Sequence, residues 1–560
     1  MTAPGGVRPL QAGDSAAPDP PMRWWGWGVD RDTLHLPASA RGLIEAALGV
    51  KEAAAPRVDL AAIELPSSRL DGDVRTRIEA IVGSEGVRDD RLARVAHAAG
   101  RSYPDLVRLR SGRVAAPDAV VYPASHDEVR VLLETCAESG VAVVPFGGGT
   151  SVVGGVEPDA GSFGAVITLD LARMASLVEL DEVSLAARVG PGISAPQLEA
   201  ELAQHALTLG HFPQSWEYVT IGGSVATRSA GQASTGYGRI DKLVLGLRFA
   251  APAGEIEVKP HPGTAGPTPA LRELLVGSEG VLGVITEVTL AVRPLPEVRQ
   301  YEGWSFKSFG AGVEAFRELE QAHAAAEVSR LSDETETALS LASAGQTAGR
   351  LAKLAQRYAR LRGHDRGCLA ILGFEGDADE AMDRANRARM LLRGAGGLRL
   401  GSRPGAEWQR QRFRAPYLRD ELLDRGVLVD TLETATTWTN LPFLYATVAD
   451  TLRNALTARG TPPLVMCHVS HLYPAGASLY YTFMAAQQHG QEVEQWQAAK
   501  TAACDAIIAA GGTITHHHAI GRDHAPWLRA ELGDVGVELL RAAKARLDPR
   551  GIMNPGKLLP

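Results

Sequence analysis

Three glycine-rich segments, each next to a β-like run, constrain this chain more than any other feature. Pro145–Gly155 reads PFGGGTSVVGG, five glycines in eleven residues. Thr220–Gly238, TIGGSVATRSAGQASTGYG, begins about 75 residues further on, and Gly277–Glu287, GSEGVLGVITE, about 55 residues after that. Glycine turns leave successive backbone N–H groups free, and such concave nests hold phosphate oxygens. Thr150 and Ser151 add two hydroxyl donors directly after Gly147, Gly148 and Gly149. No lysine follows, which excludes a P-loop, and no Gly-x-Gly-x-x-Gly opens a helix, which excludes the dinucleotide fingerprint. Alone, the triple glycine is equally a tight turn and a ligand cradle. Three clusters in this order, among strands, point to backbone lying close against a large flat ligand.

The surrounding elements are strand–helix–strand. PDAVVYPAS is a short strand ended by proline, HDEVRVLLETCAESG an amphipathic helix closed by glycine, and VAVVPFGGGTS a buried strand running into the first cluster. Residues 1–21 are rich in Pro, Gly, Ala and Asp and are expected to be a disordered tail. Residues 22–114 read as an N-terminal helical extension whose MRWWGWG motif, three tryptophans in four positions, anchors it to the body. Residues 115–298 form the glycine-cluster domain, 299–510 a separate α+β domain of long helices and strands, and 511–560 a short C-terminal segment.

Charge and composition narrow the function. With 57 basic and 65 acidic residues the net charge is −8, so a general nucleic-acid binder is excluded. No apolar run reaches the length of a membrane span. Cys136, Cys368, Cys467 and Cys504 are scattered, which excludes a disulfide scaffold and a zinc-finger site and suits a reducing compartment. The start of the chain has no apolar segment behind a basic one, so a cytoplasmic location is expected.

PDAVVYPAS, PFGGGTS, TIGGSVATRSAG, GSEGVLGVITEVTLAVRP and NPGK together resemble the FAD-binding domain of the vanillyl-alcohol oxidase / p-cresol methylhydroxylase (PCMH) superfamily. The resemblance implies an α+β fold: a two-subdomain FAD-binding domain, an α+β substrate (cap) domain and the N-terminal helical extension. It assigns Pro145, Gly147, Gly148, Gly149, Thr150, Ser151, Gly222, Gly223, Ser224 and Thr227 to the surroundings of the pyrophosphate. Gly277, Glu279, Gly280, Gly283, Val284 and Ile285 fall on the adenine and ribitol side. Covalent members attach flavin through a His or Cys in these loops; here Phe146, Thr150 and Ser151 stand there, so the FAD is expected to be non-covalent.

The substrate domain decides the chemistry. Three consecutive histidines, His516, His517 and His518, lie between glycine turns and are candidate proton carriers and anion donors, against the plainer reading of a solvated turn. With MRWWGWG, VSRLSDE, APYLRDELLDRGVLVDTLETATTW and CHVSHLYPAGASLYYTF, they resemble the alkyldihydroxyacetonephosphate synthase (alkylglycerone-phosphate synthase) branch, from about Met22 onward. That resemblance implies a redox-neutral ether-lipid reaction. Acyl-dihydroxyacetone phosphate loses a C1 proton, bonds to flavin N5, exchanges its fatty acid for a fatty alcohol, and leaves as the alkyl ether. It assigns Tyr480 as the base, assisted by His516, His517 and His518. Arg330, Arg419 and His468 then bind the phosphorylated lipid-like substrate; no metal is expected. Nearby cations would have to favour the ionised form of Tyr480. At His468, Pro474 and Thr482 the chain departs from the family pattern.

An FAD-dependent 2-hydroxyacid dehydrogenase of the D-lactate or D-2-hydroxyglutarate type is the alternative, with His468, His517 and His518 as its conceivable metal ligands. The partners expected are the acyl substrate, a fatty alcohol and a second copy of the chain, with no nucleic acid. Peripheral membrane contact is a separate expectation. It rests on the basic, Leu-bearing segment Ala348–Gly367, with Arg350, Lys353, Arg357, Arg360 and Arg362 at anionic headgroups, against the plainer reading of a solvated cap helix.

Overall fold

A computed structural model describes residues 22–29, 34–50, 54, 56–260, 269–344 and 360–559. The expected tail 1–21 lies outside the described residues, as do Arg350, Lys353 and Arg357; Arg360 and Arg362 are described and exposed.

The first glycine cluster ends a small, largely parallel sheet. Its strands run in the order Val87–Arg88, Ala119–Val121, Ala165–Asp170 and Val141–Phe146, the first antiparallel and the others parallel. The helix His126–Ser139 makes the crossover between parallel strands. Ser125 Oγ caps it by accepting from Glu128 N, and Gly140 ends it at φ 65°. Its Val129, Leu132, Leu133 and Cys136, one face at helical spacing, bury against Val143, Ile167 and Leu169. Val87–Arg88 is a strand in the segment expected to be helical throughout: two residues hydrogen-bond onto the sheet edge between the helices Gly72–Val82 and Arg91–Ala96. The C-terminal segment returns to the same sheet, where Met553 bridges Val143 in parallel.

The second and third clusters sit at a five-stranded antiparallel sheet, ordered Leu177–Asp181, Ala186–Val189, Val284–Ala291, Val244–Ala251 and Gly254–Val258. TIGGSV, read from sequence as a run of small residues, forms a six-residue helix, Ile221–Ala226, because Thr220 Oγ1 caps it by accepting from Gly223 N.

The third unit is a seven-stranded antiparallel sheet ordered Leu398–Gly401, Val298–Phe306, Cys368–Gly376, Val328–Ser332, Leu464–Tyr473, Gly476–Ala486 and Val427–Thr437. Strand alternation divides its two faces. Leu479, Tyr481 and Phe483, with Val465, Cys467, Val469 and Trp304, bury against the helices Phe309–Gln321, Ala378–Gly394, Leu441–Ala458 and Glu492–Ala509. Each fully buried large apolar side chain contributes about 1.5–3 kcal/mol. The intervening residues, Tyr480 and His468 among them, are left for the opposite face, and that face carries the polar groups described next.

The Trp motif is an anchor, as expected. Trp27 meets the Tyr218 ring edge-on at 5.3 Å, its amide donates to Asp420 Oδ2 at 2.7 Å, and Trp24 packs with Ile63, Val95 and Leu109. Among the described residues no helix is long and apolar enough to cross a membrane.

Candidate functional site

A cleft opens where the three glycine clusters meet. Pro145, Gly147, Ser151, Gly222, Gly223, Thr227, Glu279, Gly280, Gly283, Val284 and Ile285 line it, with Thr220 and Ala519. A Cβ on Gly222 would lie 2.5 Å from Pro191 Cβ and one on Gly283 2.3 Å from Ala250 O, so the backbone is packed to its limit. Gly148, Gly149, Thr150, Ser224 and Gly277 stand outside the lining. Gly148 packs so closely that a Cβ would sit 1.8 Å from Tyr218 O, and Gly149 and Gly277 take φ of 64° and 85°. The buried hydroxyls of Ser224 and Ser278 have no hydrogen-bond partner in the protein. A bare-backbone cleft with the orphaned Ser278 hydroxyl in its lining fits a dinucleotide whose phosphates take backbone N–H groups. Glu279 lines the cleft, but its carboxylate faces the other way: it accepts from Ile520 N at 2.8 Å and Gly521 N at 2.6 Å. No cation stands among its principal influences, and burial pushes its carboxyl up to about 7.

The polar face of the seven-stranded sheet carries the second half of the site. Register places Ser332 beside His468, His468 beside Tyr480 and Tyr480 beside Glu433, one row across four strands. Tyr480 stacks on His468 with ring centroids 4.8 Å apart and lies 6.1 Å and 5.3 Å from the His517 and His518 rings. A β-bulge follows: Val469 pairs Leu479 but Leu472 pairs Ala477, so one strand spends an extra residue. The bulge lets both Val469 and Leu472 reach the core and leaves Ser470 and His471 between them, and His471 meets the rings of His516 and His517 at 5.1 Å and 5.0 Å.

Arg330 is already paired. Its Nη2 lies 2.7 Å from Glu336 Oε1 and its Nη1 2.8 Å from His468 Nε2. Burial alone would raise the Glu336 carboxyl, but the Arg330 charge and the hydrogen bond with His468 hold it well below its ordinary range. Arg419 donates through Nη1 to Arg101 O at 2.7 Å, its buried Nε has no partner, and it is close enough to feel the charge of Tyr480. Sequence thus brings Tyr480, His468, Arg330, Arg419 and the triple histidine to one face.

The expected charge states need correction. Burial pushes Tyr480 up to about 12 and the Glu433 carboxylate adds to this, while a hydrogen bond with Thr431 and the Arg330 charge, the cation expected to favour the phenolate, pull the other way without prevailing. Burial also pushes His516 and His518 down to about 3 and lowers His517, His468 and His471. The imidazoles are therefore neutral, each with one N–H donor and one acceptor, and do not supply the cationic field expected to ionise Tyr480.

Four residues of the site escape sequence reading. Glu433 anchors the triple-histidine turn. Tyr473 Oη lies 2.7 Å from His516 Nε2. His471 Nδ1 lies 2.6 Å from Ser234 Oγ. His211, 1% exposed, has both ring nitrogens unpartnered, and burial pushes it down to about 4. Among the described residues, ring nitrogens of His471, His516 and His517 approach within 4.8 Å of one another, a different trio from the metal set weighed on sequence.

This fold and cleft define a class: a flavoprotein of the FAD-linked oxidase type. Residues 117–258 match the FAD binding domain, and residues 295–558 match the C-terminal domain of FAD linked oxidases. A relative from Dictyostelium discoideum, an alkyldihydroxyacetonephosphate synthase, is 31% identical over 96% of this chain and 93% of its own. Another of that name from Trypanosoma brucei brucei is 34% identical over 86% of this chain and 79% of its own. The chain belongs to the alkyldihydroxyacetonephosphate synthase family. A solved alkyldihydroxyacetonephosphate synthase structure superposes with a TM-score of 0.84 at 29% identity, covering 96% of this chain and 98% of that one. The 2-hydroxyacid dehydrogenase alternative is not favoured by these matches.

Proposed function

We propose that the protein exchanges the acyl group of acyl-dihydroxyacetone phosphate for a fatty alcohol, with FAD bound non-covalently and no net oxidation. One observation carries the reading. Ala519, the residue after the three histidines, lines the glycine cleft, so the turn that brings the imidazoles beside Tyr480 also borders the cofactor site.

The backbone of Gly147–Ser151, Gly222–Thr227 and Gly277–Ile285 holds the FAD. When bound, it supplies an electron-poor ring that takes up and returns a substrate carbon with no net electron transfer. Arg419, with a free Nε, receives the phosphate, and Arg330, held by Glu336 and His468, adds its fixed positive charge beside it. Tyr480 in its phenolate form accepts the C1 proton and returns it to C1 as the alkyl ether is released. Neutral His517 and His518 donate N–H bonds to substrate oxygens and accept the alcohol proton as its oxygen bonds to carbon, while His468 and His516, bonded to Arg330 and Tyr473, hold the row in place. The fatty acid leaves as carboxylate, so atoms and charge balance. A dimer and contact with a lipid surface near exposed Arg360, Leu361 and Arg362 complete the reading, since both substrates carry long chains. Liposome co-sedimentation and sizing by light scattering test these two points.

The test of the activity is incubation of FAD-loaded protein with palmitoyl-dihydroxyacetone phosphate and labelled fatty alcohol. Label is expected in an ether without any electron acceptor. Absence of ether, with bleaching of the flavin by a 2-hydroxyacid, would overturn the proposal.

A further inference from the structure

The turn Thr515–Gly521 carries the three imidazoles and borders the cleft, yet it has no regular secondary structure of its own. Its backbone amides must therefore find partners elsewhere, since buried N–H groups are almost always satisfied. The partners are two carboxylates from opposite sides. From the cap sheet, Glu433 Oε1 accepts from Thr515 Oγ1 at 2.6 Å and from His517 N and His518 N at 2.8 Å each, and Oε2 accepts from His516 N at 2.7 Å. From the third glycine cluster, Glu279 takes Ile520 N and Gly521 N. Six donors thus converge on four oxygens. Ala519, between the two groups, turns the chain at φ 76°. Glu433 is 1% and Glu279 9% exposed, and Asn554 Nδ2 fixes the backbone of the latter by donating to Glu279 O at 2.7 Å.

We infer that Glu433 and Glu279 form a two-sided clamp that aims the imidazoles of His516–His518 at Tyr480 and sets the cap sheet in register with the cofactor cleft. Neither carboxylate faces the substrate; both are positioning residues. Successive N–H groups of a turn make an anion nest, and here the protein's own carboxylate fills it, which fixes three side-chain directions at once. A shift of about 1 Å in such groups costs roughly 100-fold in rate. The kinetic part of this inference rests on the proposed exchange reaction; the clamp itself does not.

Amide hydrogen exchange of the holoenzyme, resolved to single residues across 513–524, tests it with Glu433→Gln, Thr515→Val and Glu279→Gln. In the unaltered protein these amides should exchange slowly. Glu433→Gln should speed His516–His518 at least tenfold and leave Gly521 slow; Glu279→Gln should do the reverse. Glu433→Gln should also lower kcat at least tenfold with KM within about threefold and FAD content unchanged. Thr515→Val, which removes the hydroxyl's bond to Glu433 and the one it accepts from His518 N but no charge, serves if Glu433→Gln does not fold, and should speed exchange about threefold. Unchanged exchange in the variants, or a loss confined to KM, overturns the clamp. A wild-type protein that makes no ether but shows this exchange pattern refutes the proposed reaction and leaves the clamp standing.

Discussion

The pH dependence of turnover tests the role of Tyr480 most directly. Its phenol is buried, stacked 4.8 Å from His468 and paired across strands with Glu433. Burial pushes it up to about 12, and the neighbouring Glu433 and Asp430 carboxylates push the same way. A phenol titrating at about 12 is ionised in roughly one molecule in 10⁴ at pH 8, against about one in 10² for an ordinary tyrosine. In the proposed reaction the competent form is the deprotonated one, and its folded value is raised. Hence kcat/KM should climb about tenfold per pH unit from pH 6 to 9, with no plateau in that range. Tyr480→Phe removes the acceptor and should lower kcat/KM by about 10²–10⁴ while abolishing the slope. The assay is transfer of labelled alcohol into ether at acyl substrate well below KM, with FAD content checked by absorbance at each pH. A flat profile, with Tyr480→Phe keeping more than about a tenth of the rate, would refute the reasoning and pass the proton to a neutral imidazole such as His518.

Three further outcomes follow from the packing and the buried charges. Gly148→Ala should strip the purified protein of flavin absorbance, because its Cβ would lie 1.8 Å from the rigid backbone oxygen of Tyr218; Gly164→Ala, with nothing within 4 Å, should keep it. Arg330→Ala leaves buried Glu336 without its guanidinium and should cost about 3–5 kcal/mol in denaturant unfolding. The double variant Arg330→Ala/Glu336→Gln should recover at least half of that loss; a single variant as stable as wild type contradicts the pairing. Glu279 has its carboxyl raised from 4.5 to about 7 and so keeps its proton longer folded than unfolded. Its contribution to stability is full below about pH 4.5 and fades as pH rises through about 7, and Glu279→Gln should flatten that part of the Tm–pH curve. An unchanged slope would place the effect in Asp333 and Asp523, also raised to about 7.

Much of the cofactor half was legible because glycine is a local signal. Where an added Cβ would come within 1.8 Å or 2.3 Å of a backbone oxygen, as at Gly148 and Gly283, only a residue without Cβ fits, and the need shows in the sequence itself. The triple histidine was legible as an oddity of composition. Glu433 was not: it is one glutamate among many in the chain, and nothing local distinguishes it. Its partners Thr515 and His516–His518 lie more than 80 residues away, and register alone brings them together. His471 depended on the bulge after Val469, an extra residue with no marker in SHLYP.

The sequence alone was enough for the family, the glycine-lined cleft and the side chains gathered on the polar sheet face, since steric fit and functional groups belong to individual residues. Charge state and aim were decided only in three dimensions. Burial makes the imidazoles neutral and raises the Tyr480 phenol, and two carboxylates from different sheets set the direction of the turn between them. Desolvation and hydrogen-bond geometry depend on everything packed around a group, and no stretch of sequence contains that.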